Sequence, residues 1–309
     1  MSADPALERL LASINMHKHN LDGTAHLEID GNRIIGSGSV PGFHLETDTA
    51  GDSVIVRVRV EAGYRFEQPV HLCFGMLPEE GIQKIDMTVD VEEDAAVSFL
   101  AHCSFPNAVD VQHLMDARLK LGRNARYSYF ERHVHAESGG ISVVPRSVIS
   151  LAEGARFKTE FELLKGRVGS VDMDYSATAE AHSQLDMLAR IYAREDDRVK
   201  IREAAELNGE GATGVLVSHL AVRGDASAEI YTDLSANAPG CRGHVDCKEI
   251  VQDRGRARAI PIVSVNHPLA HVTHEAAIGS VDSKQLQTLM ARGLDEEDAT
   301  DLIIQGLLS

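Results

Sequence analysis

Three histidines and a glutamate lie close together near the C-terminus, in the stretch NHPLAHVTHEAA. They are His267, His271, His274 and Glu275, and Cys247 lies upstream of them in GHVDCKEIVQDRGRARA. Thiolate, imidazole and carboxylate groups are the side chains that bind transition metals. Three possibilities are therefore open for this stretch: a metal site, a catalytic site or the polar edge of a β-sheet.

A second group of potential ligands alternates along FERHVHAES, as Glu131, His133, His135 and Glu137. A His-x-His pair with a nearby acid binds a metal in cupin barrels, but the wider cupin pattern is missing here. The interpretation favoured for this stretch is a solvated polar face. Cys103, in AHCSFP, is interpreted as a packing residue.

Cys241 and a glycine-rich stretch are two weaker candidates for a functional site. Cys241 lies six residues before Cys247, beside an expected turn. It is either an auxiliary thiol or incidental, and the incidental interpretation is favoured. The glycines of LNGEGATG do not form the GxxxxGKS phosphate-binding pattern and are interpreted as a turn. Any ATPase activity linked to this chain is therefore expected in a partner.

Composition narrows the classes of function. The chain has 309 residues and a formal net charge of −17, which disfavours nucleic acids and anionic membrane surfaces as partners. It has no Trp, so few rings can stack on sugars or bases. The sequence predicts neither a secretory signal nor a membrane-spanning segment. Four cysteines without a CxxC pair indicate a reducing, cytoplasmic compartment.

Most of the sequence is typical of β-strands. Runs such as SVIVRVRV, ARYSYFERHVH and ARFKTEFELL alternate between apolar and polar residues. Turns recur roughly every 14 residues, and a similar motif recurs roughly every 28 to 30 residues, as at Ala96, Ala125 and Ala155. A fixed period is the mark of stacked repeats. The sequence therefore predicts an all-β fold, a flattened β-helix with two strands per coil, in preference to a sandwich or a double-stranded barrel.

Helices are predicted at both ends, which divides the chain into three parts. Leucines at helical spacing follow Asp4, a plausible N-cap, so residues 1–24 are predicted to form an N-terminal helical segment. Residues 25–279 form the β-helix core, and residues 280–309 form two C-terminal helices. These two helices either cover the open end of the β-helix or dock another protein, and both alternatives are open.

A repeating coil brings groups that are distant in the sequence together. Cys247 precedes His274 by about 27 residues and Glu275 by about 28, close to one coil, and stacked strands lie about 4.8 Å apart. The apolar alternation places Cys247 on the face of Val245 and His274 on the face of Val272. We therefore expect Cys247 and His274 to stack, whereas Glu275 points to the opposite face unless a bulge intervenes.

Two stretches of the sequence resemble the SufB/SufD scaffold proteins of the SUF iron–sulfur assembly system. The first is VEEDAAVSFLAHCSFP, followed by VQHLMDARLKLGRNARYSYFERH, which is similar to the family's Cys-Ser/Thr-x-Pro element and its Gly-x-x-Ala-x-Tyr strand. The second, HVTHEAAIGSVDSKQLQTLMARGLDEEDATDLIIQGLL, resembles the family's more specific C-terminal tail. The resemblance covers roughly residues 85–309, and the chain is shorter than typical members at its N-terminus.

This resemblance implies a fold, partners and a site. The family's fold is a right-handed parallel β-helix with a C-terminal helical part. Its members pair through their β-helices, bind the ABC-type ATPase SufC through the C-terminal helices, and accept a nascent iron–sulfur cluster. Cys247, His274 and Glu275 match the cysteine, histidine and glutamate implicated in cluster formation in the SufB branch. The short chain suggests a minimal homodimer, which two ATPases complete to a heterotetramer, while the sulfur donor is left open.

The function expected from these arguments is that of a scaffold and not of an enzyme. Thiolate and imidazole are suitable ligands for iron or for a transient iron–sulfur cluster that passes to acceptor proteins, and a carboxylate can complete the site. The alternatives are a cupin-like or polysaccharide-acting metalloenzyme, which the absence of Trp disfavours, and a purely structural interaction protein. In the plainest alternative Cys247 is a small buried hydrophobe and His274 is a satisfied core histidine.

Overall fold

The computed structural model describes residues 4–309, which form a β-solenoid of about eight turns with helices at its two ends. The predicted all-β helical stack, the short N-terminal helix and the C-terminal helices are therefore confirmed. Residues 1–3 of the predicted N-terminal segment lie outside the described residues. Within residues 4–309, no helix combines the length and apolar character that a membrane crossing requires.

The helices are α1 (Pro5–Ser13), α2 (Ser283–Met290) and α3 (Glu296–Leu308), with a 3₁₀ turn at Lys18–Leu21. The strands are β1 (His26–Asp30), β2 (Arg33–Gly38), β3 (Phe43–Ala50), β4 (Ser53–Val60), β5 (Val70–Gly75), β6 (Glu80–Val91), β7 (Ala96–Phe105), β8 (Asp110–Leu121), β9 (Arg126–His135), β10 (Ile141–Leu151), β11 (Arg156–Lys165), β12 (Ser170–Ala179), β13 (Gln184–Ala193), β14 (Arg198–Leu207), β15 (Thr213–Val222), β16 (Ser227–Ala236), β17 (Arg242–Val251), β18 (Arg256–Val265) and β19 (His271–Gly279).

Successive strands alternate between two sheets. One sheet has the order β19-β17-β15-β13-β11-β9-β7-β5-β1-β2, and the other has the order β18-β16-β14-β12-β10-β8-β6-β4-β3. The hairpins β1–β2 and β3–β4 are antiparallel, and the later neighbours are parallel. The coil length varies slightly, since Arg156 pairs with Arg126 in the preceding coil and, over a slightly shorter stretch of chain, with Gln184 in the following coil. Each coil therefore adds one strand to each sheet.

A repeated turn builds one edge of the solenoid. Asn124, for example, adopts a left-handed φ of 56°, and its backbone N–H donates to the carbonyl of Glu153 in the next coil at 2.9 Å. A small, fully buried residue follows this position in each coil: Ala95, Ala125, Ala155, Ser183, Ala212 and Cys241. Ala96, which the sequence aligned with Ala125 and Ala155, lies one residue beyond this column, and Ala95 occupies the equivalent position. Cys241 thus occupies an alanine position, where its thiol donates to the carbonyl of Gly209 at 3.2 Å.

The N-terminal and C-terminal helices pack against the solenoid in different places. At the N-terminal end, Leu7 and Leu11 of α1 pack with Leu21 in a small apolar cluster. At the other end, α3 buries Ile304 and Leu308 against Ala221, on the outer face of β15. The described C-terminal helices therefore lie beside the solenoid. They do not cover its open end, which was one of the two roles that the sequence left open.

Candidate functional site

The last coil places the sequence-predicted ligands near the open end of the solenoid. His274 pairs with Val245, Glu275 with Asp246, and Ala276 with Cys247. This coil is slightly longer than the spacing of Cys247 and His274, so the expected direct stacking of these two residues is wrong by two positions. The two side chains nevertheless share a face, because residues two apart on a strand point the same way.

Glu275 lies on the opposite, outer face, as the alternation predicts. Its carboxylate is 61% exposed and lies 3.8 Å from Nζ of Lys248. Lys248 also donates to the carboxylate of Asp246 at 3.0 Å. The structure therefore brings Cys247 and His274 onto one face and separates Glu275 from them.

The thiol of Cys247 is fully buried within a single chain, although it lies only one coil from the open end. Oγ1 of Thr232 lies 3.9 Å from its sulfur. Burial is the main reason why the pKa of this thiol is raised to about 11; the hydrogen bond with Thr232 lowers the pKa, and the charges of Glu249 and Glu203 raise it. The sulfur is therefore a thiol at neutral pH and becomes a metal ligand only when a cation displaces its proton.

Two buried carboxyls near Cys247 have incomplete hydrogen bonding. Both oxygens of Glu249 and Oε2 of Glu203 have no hydrogen-bond partner among the described residues. Burial raises the pKa of Glu203 to about 8, and burial together with the charge of Asp246 raises that of Glu249 to about 7. Buried carboxyls without partners are costly and are typical of sites that receive a cation or a donor. Sequence analysis missed Glu249, although its position two residues after Cys247 puts it on the same face.

The last coil also exposes a face that earlier coils bury. Val263 and Val265 of β18 are 36% and 49% exposed, whereas their partners one coil earlier, Leu234 and Ala236, are fully buried. Ile278 of β19 is 49% exposed. Because β18 and β19 are also the terminal strands of the two sheets, their outer edges are unpaired within residues 4–309. Exposed apolar faces and open strand edges are typical of protein interfaces.

The C-terminal helices present a second exposed surface. Met290 at the end of α2 and Leu302 on α3 are 41% and 46% exposed. Arg223 of the solenoid holds α3 in place, because its guanidinium donates to Asp301 at 3.3 Å and to Glu297 at 3.4 Å. Helix α3 is thus fixed to the solenoid, while Met290 and Leu302 stay exposed.

A further polar cluster lies in the middle of the solenoid, where FERHVHAES folds. Glu131, His133 and His135 are 3%, 1% and 6% exposed, so the interpretation of a solvated polar face is wrong for these three residues. They continue the inward column of β9 that begins with Tyr127, and the alternation alone does not reveal which face is inward. Glu137, by contrast, is exposed on the surface.

This interior cluster also contains Cys103, which pairs with His133 across β7 and β9. The Cys103 thiol donates to Oε1 of Glu131 at 3.1 Å, and Nε2 of His133 lies 3.1 Å from the same oxygen. Burial raises the pKa of Glu131, but the hydrogen bond and charge of His133, together with the hydrogen bond from Cys103 and the charge of His113, outweigh burial and bring the pKa below its ordinary value. Burial, with the charge of Glu131, raises the pKa of the Cys103 thiol. Cys103 therefore does more than pack.

Comparison with known proteins finds one family that this chain resembles over most of its length. Residues 77–307 match the family model described as SUF system FeS cluster assembly, SufBD core domain. The chain is 40% identical to an iron–sulfur cluster assembly SufBD family protein of Methanocaldococcus jannaschii, over 89% of this chain and 87% of that protein. A relative of the same description from Pyrococcus horikoshii is 34% identical over 92% and 86% of the two chains. SufB of Bacillus subtilis is 24% identical over 81% of this chain and 54% of that protein.

Proposed function

The chain belongs to the SufBD family of iron–sulfur cluster assembly proteins, and we propose that it is a scaffold whose cluster site is completed by a second copy. Family membership gives it a role in iron–sulfur cluster assembly. The finer parts of the proposal are self-pairing, an ATPase partner, transient holding of a cluster and its transfer to acceptor proteins. Each of these parts is supported by a different feature of the molecule.

The open end of the solenoid is the observation that carries the proposal. It combines edges of both sheets that have no partner strand among residues 4–309 with the exposed apolar residues Val263, Val265 and Ile278. A second copy meets both requirements at once, because its own β18 and β19 edges continue the two sheets across a two-fold axis. The pairing also buries Val263 and Val265, which in the preceding coil correspond to the buried Leu234 and Ala236.

Pairing at this end gives the cluster a set of ligands. Each chain contributes Cys247 and His274 from one face, and the resemblance adds Glu275. Glu275 faces outward, whereas Glu249 shares the face of Cys247, so we propose Glu249 as the better-placed carboxylate. A site with one cysteine per chain and nitrogen or oxygen ligands differs from the all-cysteine sites of stably bound clusters, and this suits a cluster that is handed on.

The proposed ATPase partner, of the SufC type, docks on α2 and α3. Support comes from the exposed Met290 on α2 and the exposed Leu302 on α3, and Arg223 fixes α3 to the solenoid. Because the sequence has no phosphate-binding loop pattern, ATP hydrolysis is assigned to that partner, and the chain itself is proposed to be a scaffold and not an enzyme. The cytoplasmic location stays a prediction.

Anaerobic reconstitution with iron and sulfide tests the cluster site. We expect a visible cluster absorption in the wild type, and its loss in Cys247→Ala and in His274→Ala. The matched control is Cys241→Ala, because alanine occupies the equivalent position in neighbouring coils. A cluster of unchanged yield in Cys247→Ala contradicts the proposed site.

A further inference from the structure

The interior cluster of Cys103, Glu131 and His133 is separate from the open end. Cys103 lies on β7 and Cys247 on β17, five strand spacings apart in the same sheet, or about 24 Å at about 4.8 Å per strand. None of the three residues is needed for the pairing or for the cluster site proposed above. Their arrangement therefore calls for an explanation of its own.

The three donor atoms converge on one point. Sγ of Cys103, a carboxylate oxygen of Glu131 and a ring nitrogen of His133 all lie within 4.8 Å of one another. Ligand atoms that share a tetrahedral ion, each about 2.0–2.3 Å from it, have separations in this range. Thiolate, imidazole and carboxylate together select a borderline divalent ion such as Fe²⁺ or Zn²⁺ over Mg²⁺ or Ca²⁺.

A chain of hydrogen bonds fixes the orientation of His133. Nδ1–H of His135 donates to the backbone carbonyl of Arg167 at 3.0 Å, which leaves Nε2 of His135 as an acceptor. Nδ1–H of His133 donates to that nitrogen at 3.0 Å, so Nε2 of His133 is directed at Glu131. Metal-binding histidines characteristically use their second nitrogen in this way.

Two other buried groups around the cluster lack partners. Nε2 of His113 has no hydrogen-bond partner among the described residues, and its ring centroid is 6.2 Å from that of His133. The hydroxyl of Tyr129 is also unpartnered within the described chain. Tyr129 and Glu131 line a cavity of about 30 Å³, which is room for one water molecule. Of the three cluster residues, Glu131 lines this cavity and Cys103 and His133 do not.

The cavity beside Glu131 borders an irregularity in the opposite sheet. Pro145 lacks a backbone N–H, and the β10–β12 pairing is interrupted between Val143 and Arg146. Pro145 and Ser147 line the interior cavity, and Ser147 and Arg146 also line a groove on the outer surface. Glu131 therefore lines a cavity that is bordered by the interrupted part of the β10–β12 pairing, while the β8–β10 pairing continues through Pro145.

We propose that Cys103, Glu131 and His133 bind one divalent transition-metal ion of the Fe²⁺ or Zn²⁺ class inside the solenoid. Binding exchanges two protons for one ion. One is the thiol proton, and the other is the proton shared by Glu131 and His133, and both pass to water. The site carries no net charge before binding, and a dication with a thiolate and a carboxylate again carries none. This exchange avoids the large cost of burying an uncompensated charge.

Cobalt(II) titration of the metal-free protein under anaerobic conditions tests the proposal. We expect one Co²⁺ per chain, with a thiolate-to-cobalt charge-transfer band that is lost in Cys103→Ser. Glu131→Gln keeps the size of the side chain and is expected to weaken Co²⁺ binding at least tenfold. The controls Cys73→Ser, Cys241→Ala and Cys247→Ala keep the band. A band that is absent from the wild type, or that survives in Cys103→Ser, overturns the proposal.

A second measurement uses the wild type alone and so does not require that the substituted proteins fold. X-ray absorption of the cobalt-loaded wild type is expected to show one sulfur ligand and otherwise nitrogen and oxygen ligands, and a coordination sphere without sulfur contradicts the site. Cluster reconstitution is expected to persist in Cys103→Ser. Failure of this metal site is thus distinguishable from failure of the cluster site at Cys247.

Discussion

The middle and the open end of the solenoid are built from the same repeating coil and bury similar polar side chains. They differ in whether these side chains have hydrogen-bond partners. In the middle, Cys103, Glu131, His133 and His135 form one continuous hydrogen-bonded chain. At the open end, Glu249 is as deeply buried but has no partner within the described residues. Buried polar groups are normally paired. The difference indicates that Glu131 finds its hydrogen-bond partners within one chain, whereas Glu249 does not.

The largest expected effect separates the two regions by stability. His133→Leu leaves Glu131 without its main partner in the core, and loss of one member of a buried pair costs about 3–5 kcal/mol. Glu249→Gln removes a carboxyl that has no partner to lose, so its cost is within about 1 kcal/mol. Urea unfolding of the metal-free proteins measures both values. Equal losses in the two variants contradict the distinction between a partnered carboxyl at Glu131 and an unpartnered one at Glu249.

The next effect concerns self-association. Ile278→Asp places a charge on the exposed apolar face of the last coil and is expected to weaken the homodimer at least 100-fold, or by about 3 kcal/mol. Val109→Asp is the matched control, because Val109 is 58% exposed but lies away from the open end. Sedimentation equilibrium gives the dimer constants. Unchanged dimerisation of Ile278→Asp shows that the chains do not pair through this face.

The two regions are also expected to respond to pH with opposite sign. The pKa of Glu203 is raised to about 8 by burial, so the folded protein keeps a proton that the unfolded chain releases above its ordinary pKa. Stability from this group is present below the unfolded pKa and is lost as pH rises toward 8. The pKa of Glu131 is lowered, since the hydrogen bond and charge of His133, together with the hydrogen bond from Cys103 and the charge of His113, exceed the effect of burial. Stability from Glu131 is therefore lost as pH falls.

Glu203 alone is expected to cost about 2 kcal/mol of stability between pH 5 and pH 7, and Glu203→Gln is expected to remove most of that dependence. Urea unfolding at several pH values measures the slope in both proteins. If the variant and the wild type keep the same slope, the carboxyl of Glu203 is not held protonated in the folded state.

The smallest expected effect distinguishes two buried cysteines. Cys241→Ala is expected to change stability by less than about 1 kcal/mol, because alanine fills the same column in other coils. Cys103→Ala is expected to cost more, because Glu131 loses a hydrogen-bond donor in the core. Thermal unfolding of the two variants compares them, and the opposite order shows that the interior hydrogen bond contributes little.

The fold could be predicted from the sequence because similar turn residues recur once per coil. The recurrence at Ala125 and Ala155 gave the coil, and the alternation of the runs gave the strands. The exact register was less accessible, because successive coils differ slightly in length. The sequence therefore predicted that Cys247 stacks on His274, whereas in the structure Cys247 pairs with Ala276, two positions further along β19.

The candidate sites were only partly accessible. Alternation shows that Glu131, His133 and His135 share a face but does not show that the face is inward, because polar residues are ordinarily outside. Glu249 was missed for the same reason. Only the folded coil shows that β9 continues an inward aromatic column and that β17 carries a carboxyl into the core.

Native mass spectrometry of the anaerobically reconstituted protein tests the central claim most directly. If the open end is completed by a second copy, the cluster mass appears on the dimer and not on the monomer, and both dimer and cluster decrease in Ile278→Asp. Cys247→Ala is expected to keep the dimer and lose the cluster. A cluster carried by the monomer, or retained by the Cys247→Ala dimer, contradicts the account.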